Sequence, residues 1–206
     1  MKLEDVKNDK EVNVLVDNTE RQLTELGYTE HGRRHIGIVS EIAGNILEEL
    51  GYSEREIELA RIAGYLHDIG NSINRMDHAH TGAILAYDIL KRLGMPLEDA
   101  AEIMMAIGNH DENSGTAVST VSAALILADK SDVHRSRVRN ENLSRFDIHD
   151  RVNYAVEEAK VEVDTENKKI YLKLKIDTEI CPVIKYFEIF LDRMLMCKKA
   201  ASYLDV

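Results

Sequence analysis

His67 and Asp68 stand side by side, straight after the apolar run Ile62, Ala63, Tyr65 and Leu66 and just before Gly70. Neighbours on a helix diverge by about 100°. The doublet is therefore a poor packing choice, but it can offer a donor from each of two sides. Other donors recur at positions that read as helix ends. His35 opens one helix and His78 another; His110 ends a third and is followed at once by Asp111 and Glu112; Asp129 sits in the apolar run LILADKSD. Helix ends are where a bundle converges side chains from several elements on one cavity. A mixed set of imidazole nitrogens and carboxylate oxygens suits manganese, iron, zinc or, less well, magnesium.

The elements that must position these donors are mostly helices. Hydrophobic spacing predicts helices over 9–26, 34–50, 53–67, 78–93, 97–109 and 118–133. Gly27, Gly51 and Gly94 read as stops, and Ser53 with Glu56 forms a capping box. The end of the chain differs. Val161 and Val163, then Ile170, Leu172, Leu174 and Ile176, alternate with polar residues around the turn TENKK, which predicts a β-hairpin. A last helix follows Pro182, over about 183–204. The fold class expected is mainly α: a helical bundle over 1–140 and a small α+β region over 141–206, hairpin plus long helix. The boundary is placed in RNENLSRFD, 139–147. The last helix is expected to pack the hairpin, since an isolated hairpin is barely stable.

The chain of 206 residues can bury a full core. Its net charge of -11 repels phosphate backbones, so nucleic acid is not the expected partner. Small phosphorylated molecules remain open, because a metal or a few arginines reverse the field locally. Cys181 and Cys197 form no zinc pattern or disulfide scaffold. The first residues, MKLEDVKNDKEVNVLV, lack a signal-peptide core, and no apolar run approaches the roughly 20 residues that span a bilayer. A cytoplasmic protein without a membrane partner is expected.

The ordered set His, His-Asp, His, His, Asp resembles the HD superfamily of metal-dependent phosphohydrolases. The segments that carry the likeness are RHIGIVSEIA (34–43), GYLHDIGN (64–71), HAHTGAIL (78–85), IGNHDE (107–112) and LADKSD (127–132), and it covers about residues 31–135. The resemblance implies His35, His67, Asp68 and Asp129 as ligands of one divalent ion, with His78 and His110 on a second and Asp68 bridging. It implies hydrolysis of a phosphoester of a nucleotide or other small phosphorylated substrate by a metal-activated hydroxide. Two ions are expected, of iron, manganese, zinc or magnesium. Asn109 stands where some branches carry a second histidine, and no GYP-type segment is present, which points away from the cyclic-dinucleotide branch. An HD-fold di-iron oxygenase and a nucleotide-sensing module without catalysis are the alternatives.

Around these ligands, Lys130 and Asp132 join Asp68 as candidate catalytic groups, Asp132 to hold a ligand imidazole or assist proton transfer. The basic stretch after Asp129 supplies candidate phosphate binders: Lys130, Arg135, Arg137 and Arg139, with Arg34 and Arg75 as further ones. His134 and His149 read as surface residues. His80 competes with His78, and the glycine four residues on, Gly82, decides for His78; His31 sits in a segment, TEHG, that reads as a loop or helix start, and Asp111 and Glu112 read more simply as a solvated pair than as active-site acids. Gly70 is expected to spare the metals a crowding side chain. A homodimer is the common default for assembly.

Overall fold

The computed structural model describes residues 1–140 and 146–206. The expected boundary segment 139–147 therefore falls partly outside the described residues. The protein is mainly α, with nine α-helices and one two-stranded antiparallel hairpin among the described residues. In order they are α1 (Leu3–Lys7), α2 (Lys10–Glu25), α3 (Arg33–Glu49), α4 (Glu54–Leu66), α5 (His78–Arg92), α6 (Leu97–Gly108), α7 (Thr120–Ser131), α8 (Ile148–Ala155), β1 (Val156–Asp164), β2 (Lys169–Ile176) and α9 (Val183–Tyr203). Short 3-10 turns occupy Ile69–Ser72 and Arg135–Arg137. None of the described helices is long and apolar enough to cross a membrane.

The helices start and stop where local chemistry tells them to. Asp9 caps α2 through Glu11 N and Val12 N. Gly27, at φ +77°, ends it, while Tyr28 N bonds back to Leu23 O. The predicted capping box of Ser53 and Glu56 opens α4. Ser119 caps α7 through Ser122 N.

α4 and α7 are the inner helices. Ile57 through Leu66, apart from the partly covered Glu58 and Arg61, and Val121 through Ala128 are buried. α3 lays its apolar stripe Ile36, Val39, Ala43, Ile46 and Leu47 against both. α5 and α6 pair with each other and close the far side, and α2 lies on the 3-10 turn after the His-Asp doublet.

The C-terminal elements join this core. Val161, Val163 and Ile170 of the hairpin pack on the main cluster, and α9 contributes Met196, Ala200 and Leu204 to it. A smaller cluster of Val133, Val152, Val156, Tyr186 and Phe190 ties α8, the hairpin and the first half of α9 together. α9 packs mainly along α7 and only lightly on β2, and it bends at Phe190 (φ −114°, ψ 16°). Two short helices, α1 and α8, escape the periodicity reading because eight residues or fewer give too little repeat.

Candidate metal centre

His67 caps the end of α4, and Asp68 starts the 3-10 turn, so the chain changes direction between them. His35 enters from the first turn of α3, and His78 from the first residue of α5, after Asp77 in the left-handed region (φ +57°). His110 lies just beyond α6, and Asp129 stands near the end of α7. All four histidines and Asp68 are buried.

Each imidazole is held by its Nδ1. His67 Nδ1 donates to Gly64 O (2.9 Å), His78 Nδ1 to Arg75 O (3.1 Å) and His110 Nδ1 to Ile107 O (2.6 Å). A carbonyl only accepts, so Nδ1 carries the proton in each. His35 Nδ1 faces the carboxylate of Asp132 at 2.7 Å, with the same consequence. The Nε2 atoms point inward, where each can ligate an ion once unprotonated.

These Nε2 atoms meet carboxylates and one another. His35 Nε2 lies 3.3 Å from His67 Nε2, 3.3 Å from Asp129 Oδ1 and 3.7 Å from Asp68 Oδ2. His67 Nε2 lies 3.4 Å from Asp68 Oδ2 and 3.6 Å from Asp129 Oδ1. On the other side of Asp68, Oδ1 is 3.6 Å from His78 Nε2, and His110 joins His67 and Asp68 in a second donor group. The rings of His67, His110 and His78 follow at 5.0 and 5.1 Å, edge to face.

The donor set fits metal. Two imidazole lone pairs facing at 3.3 Å repel unless a cation or a proton stands between them. Asp68 Oδ2 is buried without a hydrogen-bond partner among the described residues. Nitrogen and oxygen donors around one ion at about 2.0–2.2 Å stand roughly 3–3.6 Å apart, which is the spacing found here. His35, His67, Asp68 and Asp129 would hold one ion, and His78, His110 and the other oxygen of Asp68 a second.

The electrostatics point the same way. Burial opposes charge on His67, but Asp68 and Asp129 outweigh it and raise the imidazole to about 10. Burial also opposes charge on Asp68, yet His67 beside it holds the carboxyl well below its usual range. Asp129 is held down in the same manner, by Lys130 foremost. Burial, then the charge on His67, lowers His110 to about 3. The site is thus a pool of negative charge that takes one proton where it lacks a cation.

The surrounding residues divide into those that face the centre and those that do not. Asp132, 97 residues from His35 in sequence, is 4 % exposed and is gripped at both oxygens by Arg34 (2.9 and 3.0 Å). It therefore holds an imidazole, and proton transfer to a substrate is closed to it. Arg34, expected as a phosphate binder, is spent on Asp132. Lys130 is buried, with Nζ 2.6 Å from Asp129 Oδ2 and 2.8 Å from Glu112 Oε2; it sets the charge of a ligand and borders the cluster.

Arg135 turns away, over the Tyr154 ring and toward Glu157. Arg139 pairs with Glu20. Neither borders the centre. Arg137 is buried, donates to Glu30 O and Asp132 O, and borders the cluster. Arg75 also borders it, as do His31 and Asp111, whose Oδ2 lies 3.8 Å from His78 Nε2. His80 points to Asp77 instead. His134 bonds Ser136 and Glu157 O.

Arg193 is the residue that the sequence does not disclose. It lies in α9, 64 positions after Asp129, and reaches the cluster only because α9 runs along α7. No local motif marks it.

A bundle that gathers four imidazoles and two carboxylates from five helices is a helical metal-binding domain. The chain belongs to the HD domain family, whose sequence model matches residues 33–161. An uncharacterized protein of Methanocaldococcus jannaschii is 27% identical over 197 residues, covering 84% of this chain and 75% of its own. Ribonuclease Y of Oceanobacillus iheyensis is 31% identical over 119 residues, 58% of this chain and 21% of that protein. Ribonuclease Y of Thermus thermophilus is 33% identical over 124 residues, 58% and 19%. The chain thus spans about a fifth of these ribonucleases. Among solved structures, a "predicted HD superfamily hydrolase" from an uncultured Thermotogales bacterium is 25% identical, with a TM-score of 0.46 over 59% of this chain and 68% of its own.

Proposed function

We propose that the protein is a metal-dependent phosphohydrolase acting on a nucleotide or another small phosphorylated substrate. The observation that carries the reading is the two-sided carboxylate of Asp68, with Oδ2 toward His35 and His67 and Oδ1 toward His78. Bound there, divalent ions supply the Lewis acidity that lowers the pKa of water and takes up phosphoryl charge.

The chain's own groups do the rest. His35, His67, His78 and His110 keep their protons on Nδ1 and their lone pairs inward. Lys130 draws charge from the outer oxygen of Asp129. Arg75 and Arg193 border the cluster and orient an anionic phosphoryl group, while Arg137, whose Nε and both Nη groups donate to Glu30 O and Asp132 O, adds its charge from behind. In the net reaction, water oxygen bonds to phosphorus, the ester P–O bond breaks, and one water proton ends on the leaving alcohol. No nucleophilic side chain is needed.

The Ribonuclease Y relatives raise RNA as a substrate. The net charge of -11 weighs against it, since the surface around the cluster must then admit a polyanion. The test is metal content by elemental analysis, followed by hydrolysis of phosphomonoesters, nucleotides and a short RNA with manganese or iron, with and without oxygen. We expect about two ions per chain, reduced in His78→Ala, and oxygen-independent release of phosphate from monoesters. No bound metal after reloading, or strict dependence on oxygen, overturns the reading.

A further inference from the structure

Beyond the cluster, toward the C-terminal helices, lies a recess of about 200 Å³. His31, Arg75, Arg137 and Arg193 border both it and the smaller space over the metal ligands. Its other end is built by Asp147, His149, Asp150 and Asn153, from α8 and its cap. The recess is therefore polarised, with guanidinium groups beside the metal ligands and carboxylates away from them.

Several of its polar groups lack protein partners. Arg193 stacks over Phe190 at 4.6 Å and gives Nε to Glu112 Oε1 (2.9 Å), and its two Nη groups make no hydrogen bond among the described residues. Arg75 spends one Nη on Asn71 Oδ1 at 3.2 Å. Asn153 is only 6 % exposed, and its Nδ2 bonds His149 O at 2.9 Å. The carboxylate of Asp150 makes no hydrogen bond among the described residues. A wider groove bordered by Met76, His78, Asp111 and Asn113 shares Arg75 with the recess but has neither Arg137 nor Arg193.

We infer that this recess binds the leaving group, and that the substrate is a phosphomonoester of a small polyhydroxylated alcohol, the sugar of a nucleotide or a free sugar. The inference rests on the hydrolase reading above. Guanidinium forks match phosphate oxygens at the inner end. At the outer end, Asp150 and Asn153 Oδ1 accept from vicinal hydroxyls. The volume is below the roughly 300–1,000 Å³ of drug-sized pockets, so one sugar unit fills it. Asp147 and Asp150 repel a further phosphate, which disfavours a continuing phosphodiester chain.

The test uses the full chain loaded with manganese. Calorimetry measures binding of a ribonucleoside 5′-monophosphate, ribose 5-phosphate, inorganic phosphate and a short RNA to the wild type, Asp150→Asn and Arg193→Ala. Arg193→Ala is expected to weaken the three small ligands by about tenfold. Asp150→Asn is expected to weaken the two hydroxyl-bearing esters by about tenfold relative to inorganic phosphate. Tighter binding of the nucleotide than of the sugar phosphate assigns a nucleoside, and the reverse a sugar. Equal shifts for all ligands, no shift, or tighter binding of the RNA than of both monoesters overturns the inference. Hydrolysis followed in parallel separates the two readings. The binding pattern without turnover of any ester keeps the ligand class and removes the hydrolase; turnover of p-nitrophenyl phosphate without the pattern does the opposite.

Discussion

Asp132 Oδ2 lies 2.7 Å from Nδ1 of His35, and the same carboxylate is held at both oxygens by Arg34. A surface arginine thus orients a buried imidazole through one carboxylate, and that imidazole lies 3.3 Å from both His67 Nε2 and Asp129 Oδ1. Asp132→Asn keeps the shape but removes the charge that fixes the Nδ1 proton. Metal affinity is expected to fall by about 10–100-fold, read by competition with a chromophoric chelator. An unchanged affinity would show that Asp132 serves only the fold.

The raised imidazole of His67 predicts a proton count. Metal needs the Nε2 lone pair, so loading near neutral pH should release about one proton per chain. Titrating metal in two buffers of different ionisation enthalpy reads that number, and zero release would refute it. The sign for stability follows from the same shift. His67 is held at about 10 against an ordinary 6.5. Its contribution to the metal-free chain is therefore full below about pH 6.5 and lost as pH rises toward 10. The lowered carboxyls of Asp68 and Asp129 act oppositely, and their contribution fades as pH falls below the ordinary carboxylate range. Melting of the metal-free chain should thus weaken on both sides of a plateau, while the loaded chain keeps its stability on the alkaline side.

The contrast between Asp129 and Arg193 shows what local sequence carries. His67-Asp68, His78 with Gly82 four residues on, His110 and Asp129 each sit in a short local pattern at a helix end, so the donors can be read without a fold. Three of the histidines also return Nδ1 to the carbonyl three residues earlier, at Gly64, Arg75 and Ile107, a local geometry as well. The helices and the hairpin follow from periodicity and caps for the same reason. In the basic run 135–139 only Arg137 borders the cluster, because charge pattern does not say which way each side chain points. Arg193 and the recess under α8 depend on how α9 lies along α7, and no stretch of sequence holds that information.

Gly70 has a reason other than sparing the metals. A Cβ there would meet His78 O at 2.0 Å and Gly82 N at 2.5 Å, both backbone atoms of α5. The glycine lets α5 dock on the turn after the doublet, which sets His78 opposite Asp68. Gly70→Ala should cost about 1–3 kcal/mol of stability through overpacking, seen in the denaturation midpoint. It should also lower the metal content toward one ion per chain, as displacing His78 removes a donor from the set that His78, His110 and Asp68 would offer a second ion. Two ions retained with a lowered midpoint would place the glycine's role in packing alone.

Lys130 offers the sharpest energetic test. Its Nζ is buried between Asp129 Oδ2 (2.6 Å) and Glu112 Oε2 (2.8 Å), with 5% of the side chain exposed. Glu112 is drawn by Lys130 and Arg193 to about 2 despite burial. Lys130→Met leaves two carboxylates facing each other without their shared cation. The cost of breaking such a buried pair is about 3–5 kcal/mol, expected in the metal-free chain by denaturant unfolding. Glu112→Gln alone should cost less, because the pair that Arg193 loses is partly exposed to water. Lys130→Met with Glu112→Gln should cost less than the sum of the two, since the repulsion created by the first change is relieved by the second, with a coupling of roughly 0.5–3 kcal/mol. Metal loading should also shrink the Lys130→Met deficit, because a bound cation returns the charge that Asp129 has lost. Strictly additive costs, with or without metal, would mean that Lys130 is a packing residue with no electrical part in the site.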